Sequence, residues 1–395
     1  MKAKNNMKHT VRANLFIVLF ALVSHLMAQD DFEKWKQQQS KGVSDLVGEQ
    51  TKYLESVTRE YDNYAAEQNR QFENFKTEVE KRWGQYKGNT AKRLVNYDDD
   101  LNSRSTVDFE KGEIEVEVII EDTPGKTSQQ SQEEGEIALE KKLQKVITLP
   151  APDNQPILKD QIADGEGGSI SPKTSKVFAK KVVATEAVQK SNITAKDGKP
   201  RVKYSVTIKM VPNHIEIRAK RFKANILKQS KRFKIDPAIV FAIIHTESSF
   251  NPKARSHVPA YGLMQLVPKS GARDAYSYIY KRDKLLSAQY LYIPVNNIEL
   301  GCAYISKLRH VYFGGIKNDE SAYYCTIAGY NTGPGNVAKT MSGTTKLIAN
   351  ANAVNGKTPE QIFKILSNKL PYVETRKYLV KVLERSNYYR SWLKM

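Results

Sequence analysis

The sequence predicts an α+β protein built in two parts, a small α+β part followed by a mainly helical one. Three observations carry that expectation. Apolar residues alternate with period two within 105–120 and again from Val202 to Met210, as they do in half-buried strands. After Pro212 the apolar spacing becomes helical, and Asp236 followed by Pro237 reads as a capped helix start, where proline's missing N–H costs nothing. Charge divides at nearly the same place. The chain is +19 overall, yet residues 201–395 hold 32 Lys and Arg against 11 Asp and Glu, and 29–200 is net acidic. With 395 residues, 40% of them hydrophobic, the chain has room for two domains and enough apolar side chains to pack both.

The elements follow in order. Lys2, Lys4, Lys8 and Arg12 precede an apolar run from Leu15 to Val23. That run is far short of the roughly 20 residues that cross a bilayer core of about 30 Å. It suits a secretory signal peptide spanning 1–28, cleaved after Ala28, with an uncleaved anchor as the alternative because Leu26 is large for its position. Export sets nucleic acid aside as the partner of the basic half. It leaves an anionic wall polymer or a membrane surface, and so a location in the periplasm or cell envelope, with peripheral membrane association and a monomeric chain expected. The two cysteines, Cys302 and Cys325, lie far from the leader, so no lipoprotein anchor is expected. In an oxidising compartment they either pair or remain buried thiols.

Residues 29–210 form the expected N-terminal domain. Residues 31–86 read as helix, with Val57, Tyr61, Tyr64, Phe72, Phe75, Val79 and Trp83 recurring at mostly three- and four-residue steps. This is the pattern of a structural amphipathic helix. Val107–Phe109, the Lys111–Gly112 turn and the alternation from Ile114 to Ile120 predict a hairpin. Residues 122–135 and 150–175, rich in Pro, Gly, Ser and Asp, read as loops, and Val202–Met210 as a last strand. No catalytic constellation is visible in this part. Residues 211–395 form the second domain, with helices expected at 213–233, from Asp236, and near 285–291, 296–311, 319–330, 359–369 and 373–386.

On the helix opened by Asp236, Val240, Ile243 and Ile244 define an apolar face, and Glu247 falls on the same side by its three- and four-residue spacing. Desolvation there would favour the neutral acid and raise its pKa, which suits a general acid near neutral pH. Position alone equally allows a glutamate near a helix end that simply reaches water. No other acidic residue occurs between Glu247 and Asp274, whereas a two-carboxylate glycosidase needs a partner about 5–10 Å away. The six histidines show no metal-ligand spacing, and neither metal nor cofactor is implied. Gly333-Pro334-Gly335 lacks the ending of a phosphate loop and reads as a tight turn.

Glu247-Ser248, then Gly262-Leu263-Met264-Gln265, then Tyr330-Asn331, then Tyr372-Val373-Glu374-Thr375-Arg376 form an ordered set. It resembles the Slt family of lytic transglycosylases over about residues 225–390. One departure is Gly329, where that family usually has Ala. The preceding domain is similar, more weakly, to that of the membrane-bound lytic transglycosylases of type C. The resemblance implies a lysozyme-like catalytic domain behind a small α+β domain, with peptidoglycan glycan strands as substrate. It implies non-hydrolytic cleavage of the β-1,4 bond between N-acetylmuramic acid and N-acetylglucosamine, giving 1,6-anhydro ends. Glu247 would be the sole catalytic carboxylate, supported by Ser248, with Met264, Gln265, Tyr330, Asn331, Tyr372 and Glu374 lining the groove. Gln265 and Asn331 have the donors and acceptors for acetamido and hydroxyl groups. Tyr330 and Tyr372 have rings for sugar faces, although core packing is the commoner use of an aromatic. The alternatives are a goose-type muramidase, which hydrolyses the same bond, and a non-catalytic wall-binding or secretion-apparatus protein.

Overall fold

The computed structural model describes residues 59, 63, 66, 67, 69–164 and 167–394. The leader expected at 1–28 lies outside them, as do Val57, Tyr61 and Tyr64. The chain divides into two compact units, Met1–Thr77 and Glu78–Met395. In the first, the described residues 59, 63, 66, 67 and 69–77 are helical. Everything below belongs to the second, which opens with helical residues 78–83.

Its first body is a five-stranded antiparallel sheet. The strands are β1 (Arg93–Tyr97), β2 (Ser103–Asp108), β3 (Glu113–Glu121), β4 (Gln189–Thr194) and β5 (Pro200–Lys209), in the order β1-β2-β3-β5-β4. The expected hairpin is β2–β3, and β3 lies beside β5 with Ile114 opposite Ile208 and Val116 opposite Val206. One face of the sheet presents Ile114, Val116, Val118, Tyr204 and Val206 to helices Ser128–Ile147 and Ser175–Thr185. The alternate residues of β3 serve the other face, where Ile119 packs with Val79 and Trp83. Period-two alternation with a hydrophobic residue on each face marks a sheet covered on both sides.

Residues 128–135, expected to be loop, are helical. Thr127 and Gln130 form a reciprocal capping box, a start signal hidden inside a polar run. The apolar anchors of that helix, Leu139, Leu143 and Val146, come only later. Residues 150–174 contain turns and isolated bridges but no regular element, apart from the undescribed 165–166.

The second body is all helix around one core. Helix Pro237–Ser248 starts as expected, with the Asp236 side chain accepting from the Ala238 N–H at 2.8 Å. It has no polar face, because every residue from Ala238 to Ile244 is at most 1% exposed. A helix apolar all round is a buried one, so Glu247 ends a helix enclosed on all sides rather than lying on one apolar stripe. Helix Val373–Lys394 covers it, with Tyr389 and Trp392 against Phe241 at centroid distances of 5.2 and 5.3 Å. Helices at Arg273–Tyr280, Pro334–Ser342 and Leu347–Asn355 were not expected. Gly333 ends one helix and Pro334 begins the next. Cys302 and Cys325 are free thiols in this core, both fully buried, and not a disulfide.

The two bodies are joined at Arg218, which is 2% exposed. Its guanidinium donates to the Phe109 carbonyl (2.6 Å), Gln161 Oε1 (2.5 Å) and the Ser249 carbonyl (2.9 Å). Among the described residues no helix is long and apolar enough to cross a membrane.

Candidate active site

Glu247 occupies the last turn of the buried helix, and the chain turns sharply after it. Ser249 and Phe250 both take left-handed backbone, at φ 49° and 61°, which is unusual for a residue as bulky as Phe. Burial of the Phe250 ring against Phe241, His245 and Tyr389 holds that turn. The Ser248 hydroxyl lies 3.1 Å from the Ile244 carbonyl and 2.7 Å from the Leu263 carbonyl, fastening the helix end to the 262–265 turn.

That turn requires its glycine. Gly262 has φ +75°, and a Cβ there would sit 2.5 Å from both Asn297 Nδ2 and the Leu291 carbonyl. Asn297, fully buried, supports the turn from behind. It donates to the Tyr261 and Leu291 carbonyls at 2.9 and 2.8 Å and accepts from the Met264 N–H at 2.8 Å. Gln265 thereby reaches the surface of the cleft at φ 47°. Its amide donates to the Gly262 carbonyl, and its Oε1 has no partner.

The cleft encloses about 1330 Å³, and its walls include Glu247, Gln265, Tyr330, Asn331, Tyr372 and Glu374. These six, drawn from widely separated segments, line one cleft. Ser248 and Met264 do not reach the cleft. Both are fully buried behind the wall, and Met264 lies against Gly301, where a Cβ would meet its sulfur. That burial corrects the expectation that the Met264 side chain lines the groove; Ser248, expected to support Glu247, stands behind the wall with it. The Tyr330 hydroxyl donates to the Met264 carbonyl at 2.7 Å, and Thr375 donates to Asn331 Oδ1 at 2.6 Å. Tyr372 is 58% exposed and presents its ring at the rim.

The sheet body contributes a wall that the sequence did not reveal. Thr90, Ala91, Lys92, Arg93, Asp108, Glu110 and Lys111 line the same cleft. Charged residues at a hairpin tip are ordinary surface chemistry, and nothing local shows that the tip faces a second body. Thr375, Tyr378 and Asn297 were also missed.

Burial dominates the electrostatics of Glu247, pushing its pKa up to about 7. The nearby Glu374 carboxylate raises it further, while the Tyr378 hydroxyl and Lys92 lower it. Tyr378 acts as a hydroxyl donor towards the Glu247 carboxyl, favouring its charged form. Burial likewise depresses His245 to about 3, so the neighbouring imidazole is neutral and cannot neutralise the acid. The site therefore holds a carboxyl that carries its proton near neutrality and can give it up and recover it. Among the described residues no cluster of His, Cys, Asp and Glu could hold a metal.

The sequence matches known proteins. Residues 224–352 match the transglycosylase SLT domain, and residues 61–221 match the N-terminal domain of membrane-bound lytic murein transglycosylase C. Membrane-bound lytic murein transglycosylase C of Klebsiella pneumoniae is 34% identical over 305 residues, covering 75% of this chain and 81% of the relative. This chain belongs to the membrane-bound lytic murein transglycosylase C family. The Cronobacter sakazakii member is 34% identical over 306 residues, with the same coverage. The crystal structure of the 70 kDa soluble lytic transglycosylase of Escherichia coli aligns at 26% identity with a TM-score of 0.34, over 44% of this chain and 24% of that one.

Within this member, Gly329 has a local reason. A Cβ there would stand 2.9 Å from the Phe313 ring, which is fully buried. The smaller residue makes room for Phe313 and leaves Tyr330 and Asn331 on the cleft.

Proposed function

We propose that the chain cleaves peptidoglycan strands at the β-1,4 bond between N-acetylmuramic acid and N-acetylglucosamine as a lytic transglycosylase, with Glu247 as acid and then base. The observation that carries this reading is a carboxyl without a cationic partner in the last turn of a helix whose body, Ala238–Ile244, is apolar and buried, opening into a long cleft with its pKa near 7. Below that pH Glu247 protonates the glycosidic oxygen as the bond to C1 breaks. The substrate's N-acetyl group stabilises the oxocarbenium-like centre. The Glu247 carboxylate then takes the proton of the C6 hydroxyl as O6 bonds to C1. The 1,6-anhydro ring closes, Glu247 regains its proton, and no water is consumed.

Gln265 Oε1, an acceptor with no partner, suits an acetamido N–H. Tyr330, whose proton is committed to Met264, can only accept from substrate. Tyr372 supplies a ring for a sugar face. We assign this chemistry to residues 211–395, with 29–210 as the domain before it. Export to the periplasm rests on the leader composition of 1–28, and association with the membrane surface on the relatives' name.

Glu374, a second carboxylate in the cleft, is the one feature that favours a muramidase. Product analysis separates the two. Wild-type digests of wall sacculi should end in 1,6-anhydro-N-acetylmuramic acid, one water lighter than a reducing end and resistant to borohydride. Reducing ends would establish hydrolysis instead. Glu247→Gln should lower turnover by about 10²–10⁴-fold while strand binding persists, and full activity in that variant would remove Glu247 from the chemistry.

A further inference from the structure

The hairpin tip between β2 and β3 carries Glu110, and three cations converge on a single one of its oxygens. Lys92 Nζ lies 2.5 Å from Glu110 Oε1, Lys381 Nζ 3.2 Å and Arg385 Nη2 3.3 Å. A bridge that only joined two bodies would need one cation for one carboxylate. Here Lys92 and Lys381 both line the cleft, and the positive charge exceeds what Glu110 can neutralise. Glu384 acts on Arg385 as well, but the excess on the two lysines remains. Of the other acids on the cleft wall, Asp108 already accepts from the Glu110 and Lys111 backbone N–H groups through Oδ1, and Glu247, on which Lys92 acts, lies with Glu374 at the reacting part of the cleft without an ion pair to either lysine.

Crowding of like charge is felt within the cluster. Burial first, and then Lys381 and Arg385, draw the Lys92 pKa down in spite of Glu110. A second anion beside the lysines would relieve that repulsion and gain charge-assisted hydrogen bonds. The cluster also stands next to the chemistry. Arg385 Nη1 donates to Thr246 Oγ1 at 3.0 Å, and Thr246 immediately precedes Glu247 and shares the cleft wall with it.

We propose that Lys92 and Lys381, held apart on Glu110 and backed by Arg385, form a carboxylate-binding subsite beside Glu247 that takes a carboxylate of the wall polymer. The subsite rests on the peptidoglycan reading above. Two groups of that polymer have this chemistry: the lactyl carboxylate of a muramoyl residue freed of its peptide, and the carboxylates of an attached stem peptide. A strand of N-acetylglucosamine alone has neither.

The test measures binding to the Glu247→Gln protein, so that no substrate is consumed. Three oligosaccharides of equal length are compared: peptide-bearing, peptide-free with lactyl carboxylates, and N-acetylglucosamine only. Adding Lys381→Gln should lower affinity for a carboxylated strand relative to the neutral oligomer by about tenfold, the loss expected for one hydrogen bond to a charged group. Lys92→Gln should act in the same direction, and Lys381→Arg should restore the preference. Loss confined to peptide-bearing strands identifies the stem, loss confined to the peptide-free muramoyl strand identifies the lactyl group, and loss on both shows that the subsite takes either carboxylate. An equal loss on all three oligomers, or none on any, overturns the subsite. Thermal melts of each variant verify that it is folded. The functional reading fails separately, if wild-type protein releases no 1,6-anhydro ends from sacculi.

Discussion

Glu117 and Glu247 are two glutamates withdrawn from water in the same chain, and their acidities move in opposite directions. Burial is the largest influence on both and raises the pKa of each. At Glu117, on the covered face of the sheet, it is overcome. Arg104 grips both carboxylate oxygens at 2.6 and 2.9 Å and Lys87 adds a third contact at 3.0 Å, so the pKa falls to about 2. At Glu247, in the helical body, Lys92 and Tyr378 only soften the rise, and the pKa ends near 7. A buried carboxylate with matched cations is a structural part of the sheet body. A buried carboxyl without them costs stability and gains a proton it can trade.

The largest expected effect on stability is at Glu117. Glu117→Gln would leave Arg104 without its charge partner in the interior, while Lys87 keeps Glu115, a loss of about 3–5 kcal/mol. Urea unfolding at pH 7 would measure it. A loss below about 1 kcal/mol would mean that the pair is solvated and the contrast is overstated. The sign with pH follows from the lowered pKa. The contribution of Glu117 is fully present above the unfolded value near 4.5 and is lost as pH falls towards 2.

Glu247→Gln should change stability in the other direction. Because the native pKa is raised, the unfolded chain releases that proton more readily, and wild-type stability declines as pH rises from about 4.5 to 7. At pH 8 the variant should be more stable than wild type by about 1–3 kcal/mol, with the difference vanishing near pH 4. Thermal melts at the two pH values decide this, and equal stability at pH 8 would show that Glu247 is not strained in its charged form. The smallest effect concerns Glu374, whose charge raises the Glu247 pKa. In Glu374→Gln the limb of the kcat/KM profile governed by Glu247 should shift to lower pH by less than about one unit. A shift to higher pH would contradict the sign.

How much of this was legible in the sequence depends on distance along the chain. The Asp236–Pro237 start, the β2–β3 hairpin and the placing of Glu247 in an apolar helix are local patterns, and the structure contains each. The ordered segments at 262–265, 330–331 and 372–376 also meet at one cleft. The Thr127–Gln130 capping box was equally local but sat in a polar run with no apolar repeat beside it. Strand β4, QKSNIT, shows no alternation because it is an edge strand with little to bury. Glu110, Lys92 and Arg385 carry no local signal at all, since their meaning lies in a pairing across some 275 positions. Met264 misled for a related reason: a motif residue can serve its site through its backbone while its side chain faces the core.

Arg218 has a further consequence, for cooperativity. Among the described residues there are two large hydrophobic cores and a small third cluster at Val79, Trp83 and Ile119, and a chain with two large cores could melt in two steps. One guanidinium accepts no exposure on either side: it is bonded to Phe109 and Gln161 of the sheet body and to Ser249, two residues past Glu247. Separating the bodies would break the hydrogen bonds that this charged group makes to Phe109 and Gln161. The two cores should therefore share one unfolding transition, and thermal melts followed by far-UV circular dichroism and by aromatic fluorescence should coincide; two separated transitions would show that Arg218 does not couple them.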